Sequence, residues 1–184
     1  MAQDAETGPL TEFLASDHRR LDALLQSALA QPEQVDRESY DRFRAGLLRH
    51  IGLEEKILFP ALQRWRGGEP LPLAATLRRE HGALATLLVP TPTVAILATL
   101  RRLLADHNRL EEGPGGIYEL CDRLAGAEAP LLLTAMRAVP PVSVMPHSDS
   151  PAVMTTLRHV LERAGYGLEN APGQAEPVTP AQES

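Results

Sequence analysis

The chain repeats itself once, and that repeat limits what it can fold into more than any other feature. Asp17-His18-x-x-Leu21, followed by Leu24-Leu25, returns as Glu80-His81-x-x-Leu84, followed by Leu87-Leu88. His50-x-x-x-Glu54-Glu55 returns as His107-x-x-x-Glu111-Glu112. The order is the same in both copies and the spacing nearly so. Each copy reads as one hairpin of two helices. The first helix carries a single histidine, and the second carries a histidine with a glutamate four residues on.

Apolar residues recur at three- and four-residue steps around every one of these histidines, the period of an amphipathic helix. Helices are expected over about 10–30 (Leu10, Leu14, His18, Leu21, Leu25) and about 36–65 (Phe43, Leu47, His50, Glu54, Leu58). Two more are expected over about 73–88 (Leu73, Leu77, His81, Leu84) and 93–112 (Leu97, Leu100, Leu104, His107, Glu111). Gly8 and Pro9 suit the start of the first helix, Pro32 ends it, and Asp36 suits a cap on the second. Pro60 falls inside the second and should kink or interrupt its last turn. A fifth, less regular helix is expected over 117–138, crossed by Gly126 and Pro130. The short turn Val89-Pro90-Thr91-Pro92 makes the helices on either side antiparallel.

The expected fold is all-α: an antiparallel up-down four-helix bundle over residues 10–138, behind a flexible lead of residues 1–9. A Pro-rich linker follows from residue 139, then a short helix over 151–165 and a disordered end. Hydrophobic residues, 43% of the 184, suffice for a core, and aromatics at 4% leave that core to Leu, Ala and Val. A net charge of −6, from 18 basic and 24 acidic residues, disfavours a nucleic-acid partner, because there is no cationic excess to displace phosphate counterions. No run approaches the roughly 20 apolar residues of a membrane span. The start, MAQDAETGPL, has no apolar stretch of the kind that directs secretion, so a cytoplasmic location is expected. The single cysteine, Cys121, excludes an internal disulfide framework and is expected to be a small buried hydrophobe.

Residues four apart on a helix are neighbours on its face. His50 with Glu54, and His107 with Glu111, can therefore each aim two donors at one spot. His18 and His81 share stripes with leucines and face the same interior. Two buried carboxylates without a counter-charge would be very costly, and the stripes offer no Lys or Arg. Bound metal is the economical answer. Four imidazoles and two carboxylates are too many donors for one tetrahedral zinc, but they suit two metals about 3.5–4 Å apart. Each metal would take two histidines, with the glutamates bridging. This donor set favours iron or manganese over structural zinc. Glu55, Glu112, Asp17, Glu80 and Asp106 lie off the inward stripe and are expected to be solvated, the lesser alternative being that they support the inward donors. Tyr40 and Tyr118 could donate a hydrogen bond to a bound ligand, but packing with an exposed hydroxyl is the favoured expectation. His147 and His159 match nothing in the repeat.

The ordered set of motifs, with Leu58-Phe59-Pro60 after the first His-x-x-x-Glu, resembles the hemerythrin family and its HHE cation-binding domains. That resemblance spans about residues 10–125. It implies an antiparallel four-helix bundle around a non-haem di-iron centre. His18 and His50 would hold one iron, His81 and His107 the other, with Glu54 and Glu111 bridging; manganese or zinc are the other candidate metals. It implies a small diatomic ligand, dioxygen or nitric oxide, or peroxide. The alternative is an iron- or redox-sensing module with little turnover. No side chain among these is an obvious acid, base or nucleophile, so any turnover would be metal-centred. Oxygen-carrying hemerythrins have a fifth histidine one turn after the third, where this chain has Ala85, and usually an aspartate five residues after the last. The symmetric four His and two Glu are closer to the di-iron proteins that repair iron–sulfur centres, and to the iron-sensing hemerythrin domain of an F-box protein. Oxidation by air without a long-lived reversible oxygen complex is therefore expected.

Overall fold

A computed structural model describes residues 7–31 and 34–169. Expectations for the first six residues of the lead, for Pro32 and for the end from residue 170 lie outside them. The chain is all-helical there: no strand occurs among the described residues, only an isolated bridge between Gln31 and Gln34.

The first hairpin comprises α1 (Pro9–Ala28) and α2 (Arg37–Leu53). Pro9 opens α1 in the first-turn position where its missing N–H costs nothing. Gly8 has no side chain with which to cap it. The carboxylate of Asp122 does so instead, accepting from the Leu10 and Thr11 N–H groups at 2.8 and 2.9 Å. Asp36 caps α2 through the Glu38 N–H. Gly46 lets α2 lie close on α1: a Cβ there would stand 2.7 Å from the Leu21 side chain.

From α2 the chain passes without a break through a π-helical turn, Glu54–Leu58, into α3 (Phe59–Trp65). Pro60 does interrupt the regular ladder here, but by widening it. Proline has no N–H for the Lys56 carbonyl, and its ring would collide with that carbonyl in a regular helix. The wider turn avoids the collision, and the Phe59 N–H bonds back to the Glu54 carbonyl, five residues away.

The second hairpin comprises α4 (Ala74–Leu87) and α5 (Val94–Glu112), the latter capped by Thr93 through the Ile96 N–H. The irregular stretch that follows is α6 (Ile117–Ala125), a 3₁₀ turn at Gly126–Glu128, and α7 (Ala129–Arg137) with Pro130 in its first turn. The linker from Val139 forms no helix but is tied down. Arg44 donates to the Met145 carbonyl, Ser148 N–H to the Val89 carbonyl, and Thr91 N–H to Asp149. Then comes α8 (Pro151–Ala164), which lies on α4. It ends at Gly165, whose φ of 86° lets the Tyr166 N–H reach back to the Leu161 carbonyl.

Two apolar clusters form the core. Leu10, Leu14, Leu53, Leu58, Phe59, Leu77 and Cys121 belong to one. Leu21, Leu25, Phe43, Leu47, Leu84, Leu97, Leu100 and Leu103 belong to the other, together with Leu157 and Leu161 of α8. On α1, α2 and α4 the histidine falls between leucines of opposite clusters: Leu14 and Leu21 flank His18, Leu47 and Leu53 flank His50, Leu77 and Leu84 flank His81. On α5, Leu103 and the partly buried Leu110 flank His107 in the same way. The histidines thus share one polar layer between two apolar ones.

Candidate metal centre

That layer brings together all six residues singled out by the repeat. His18, His50, His81 and His107 are buried, and Glu54 and Glu111 are fully so. Their donor atoms form two groups: His18, His50, Glu54 and Glu111, and then Glu54, His81, His107 and Glu111. Within each group the donor atoms lie within 4.8 Å of one another. Both glutamates belong to both groups, and each divides its oxygens between them. Glu54 places Oε1 3.6 Å from His50 Nε2 and Oε2 3.2 Å from His81 Nε2. Glu111 places Oε2 3.5 Å from His18 Nε2 and Oε1 3.1 Å from His107 Nε2.

The other ring nitrogens explain why the imidazoles face inward. Asp17 on α1 holds His50 Nδ1 on α2 at 3.0 Å. Glu55, in the π turn after α2, holds His81 Nδ1 on α4 at 2.7 Å. Glu80 on α4 holds His107 Nδ1 on α5 at 2.8 Å. Glu112, at the end of α5, holds His18 Nδ1 back on α1. The four links close a ring. An ionised carboxylate can only accept, so each Nδ1 must carry a proton and donate it. When that is the only proton on the ring, Nε2 is left as a lone pair aimed at the centre.

Four expectations about solvated acids are thereby corrected. Asp17, Glu55, Glu80 and Glu112 are not free surface charges; each orients an imidazole on the next helix round. Their reach across to a neighbouring helix is invisible on a single-helix projection. Their recurrence at equal places in both copies of the repeat was the available signal. Asp106 differs: 45% exposed, it meets Arg109 and the Tyr166 hydroxyl. Tyr118 is corrected as well. It is fully buried, and its hydroxyl lies inside the first group of donors. Tyr40 is also fully buried, and its hydroxyl has no hydrogen-bond partner among the described residues. Cys121 is buried in the apolar cluster as expected, and burial pushes its thiol up. His147 stacks on Tyr40 and His159 is exposed; neither joins the donor groups.

The electrostatics fit a cation. Glu54 Oε2 and Glu111 Oε1 are buried without a hydrogen-bond donor. The Nε2 atoms of His81 and His107 stand 3.1 Å apart, too close for two lone pairs unless something positive lies between them. In the chain by itself that charge is supplied by protons. Burial works against imidazolium at His50, His81 and His107. Yet the Glu54 charge, with Asp17, raises His50 to about 10. The nearby carboxylates of Glu111 and Glu54 likewise raise His81 to about 10, and Glu111 and Glu80 raise His107 to about 9. Burial favours neutral Glu54 and Glu111, but the surrounding imidazoles hold both below the usual carboxylate range. Metal ions and protons compete for the same lone pairs.

A family model, the hemerythrin HHE cation-binding domain, matches residues 10–121. The chain belongs to the hemerythrin family. No curated protein and no solved structure matches it. The match covers α1 to α5 and ends within α6, so it takes in every residue of the two donor groups and of the Nδ1 ring. As in an HHE cation-binding domain, these side chains could hold metal. Among the described residues no helix is long and apolar enough to cross a membrane.

Proposed function

We propose that this hemerythrin-family chain is a non-haem di-iron protein that binds or reacts with a small oxidant such as dioxygen, nitric oxide or peroxide. The sharing of Glu54 and Glu111 between two donor groups carries the reading. His18 and His50 hold one iron, His81 and His107 the other, and the two glutamates bridge them. Iron bound there supplies Lewis acidity and one-electron redox capacity. The antiparallel four-helix arrangement rests on the two apolar clusters. The sequence passes from the first cluster to the second along α1 and α4, and from the second to the first along α2 and α5.

The protein's own contribution is orientation and exclusion. The Nδ1 ring holds the imidazoles in one tautomer, and the apolar clusters above and below keep bulk water out. Between α1 and α5 a cavity of about 290 Å³ reaches His18 past Leu21, Leu25 and Leu104. The test is anaerobic iron loading, elemental analysis, and absorption spectra before and after air. Two irons per chain and a spectral change on exposure to air are expected. A single tetrahedral zinc per chain, untouched by replacing His50 or His107, would overturn the reading.

A further inference from the structure

The two donor groups differ in one residue. Tyr118 is on α6, outside the four helices that carry the inward histidines, and its ring is fully buried. Its hydroxyl oxygen lies 2.6 Å from Glu54 Oε1 and 3.1 Å from Glu111 Oε2. It lies 3.2 Å from His18 Nε2 and 3.3 Å from His50 Nε2. These four atoms are the donors of the first group. A phenol has one proton to give and can satisfy one of them. With the Nδ1 atoms of His18 and His50 committed as donors to Glu112 and Asp17, a cation that displaces any Nε2 proton leaves the remaining neighbours presenting lone pairs to an oxygen that also carries lone pairs. Five lone-pair donors converge on one place.

Such crowding is ordinary around a metal ion. Adjacent donor atoms on one six-coordinate ion with bonds of about 2.1 Å are separated by about 3 Å. The four distances from the Tyr118 oxygen scatter about that value. Among the described residues the second group has no counterpart: His81 and His107 meet each other and the two glutamates there.

We infer that Tyr118 is a seventh metal ligand, a phenolate on the iron held by His18 and His50, and that it makes the two irons chemically unequal. This rests on the di-iron reading above. As the iron–oxygen bond forms, the phenol O–H bond breaks and its proton leaves to solvent; no electron is transferred. The iron at His18 and His50 then has five protein donors, and the one at His81 and His107 has four.

A phenolate on ferric iron absorbs visible light by charge transfer, and excitation into that band enhances the tyrosinate ring vibrations in the Raman spectrum. The ferric protein is expected to show both. Tyr118→Phe removes only the oxygen and should abolish both while elemental analysis still finds two irons per chain. The chain has three tyrosines, so the double variant Tyr40→Phe, Tyr166→Phe should keep the band, which assigns it even if Tyr118→Phe fails to fold. Two irons per chain with no tyrosinate vibrations would overturn this inference and leave the di-iron reading standing. A band that survives Tyr118→Phe, or that the double variant loses, would overturn it too. A chain that takes up no iron would overturn both, and elemental analysis distinguishes that case.

Discussion

At the scale of single residues, the six inward donors were legible because helical periodicity and the repeat agree on them. The residues that aim them were not. A helical projection says which side of its own helix a side chain leaves, and Glu55 and Glu112 leave about 100° from the inward stripe. It does not say what stands opposite on the next helix. Asp17 and Glu80 reach the second helix of their own hairpin, whereas Glu55 and Glu112 reach across to the other hairpin, so the repeat returns as two kinds of link. Tyr118 lies outside the repeat altogether, and only the folding of α6 onto α1 and α5 brings it in. Groups that orient metal-bound imidazoles typically change metal affinity 10–100-fold when lost. Glu80→Leu, which frees His107 Nδ1, should therefore weaken iron binding by about that factor in a chelator competition titration. Asp106→Asn, which alters the acid just before His107 but touches no imidazole, should leave the affinity unchanged. Equal losses in both variants would mean that local negative charge matters and the ring does not.

At the scale of elements, helix positions followed the sequence closely because stripes, caps and prolines all pointed the same way. The ends were harder to read wherever a partner is distant in the chain. The start of α1 is such a case. Gly8 and Pro9 marked the place, but the free N–H groups of Leu10 and Thr11 are satisfied by Asp122, which also accepts from the Thr11 hydroxyl at 2.6 Å. This carboxylate on α6 does the work of an N-cap and fastens α6 to α1, four residues from Tyr118 along the same helix. Loss of an N-cap side chain costs about 1 kcal/mol. Asp122→Ala should lower the melting temperature by roughly 2–4 °C in a calorimetric scan, given the size of the chain. An unchanged melting temperature would mean that water caps α1 equally well. The π turn has a different lesson. Pro60 announced a break in the second helix, but the sequence did not say that the break would be one widened turn beginning at Glu54, the residue that must reach both donor groups.

At the scale of the whole molecule, the layer of donors is only as rigid as the two apolar clusters that enclose it. Both are completed from outside the matched family region, one by Ala129, Leu133 and Met136 of α7 and the other by α8. Residues 151–165 read as a short helix in the sequence, with little sign of a core to join, because a stripe of apolar residues does not name its partner. The structure lays that helix on α4 and buries Leu157 fully, with Leu161 beside it, against Ala83, Leu84, Leu87 and Leu88. The same helix α4 carries Glu80 and His81 on its other contacts. Thus α8 backs an element of the site without supplying a donor to it. Leu157→Ala removes a fully buried side chain and should cost about 2–5 kcal/mol of stability, depending on how far the neighbours close the space. Because the donors are untouched, the folded variant should still load two irons per chain. Because metal binds the folded state, loading should also restore much of the lost stability. Urea denaturation of the metal-free and iron-loaded forms, each with and without Leu157→Ala, separates these effects. If the substitution leaves metal-free stability unchanged, α8 is not part of the core. If it empties the iron site of a protein that remains folded, α8 governs the donors directly and does more than support the helix that carries them.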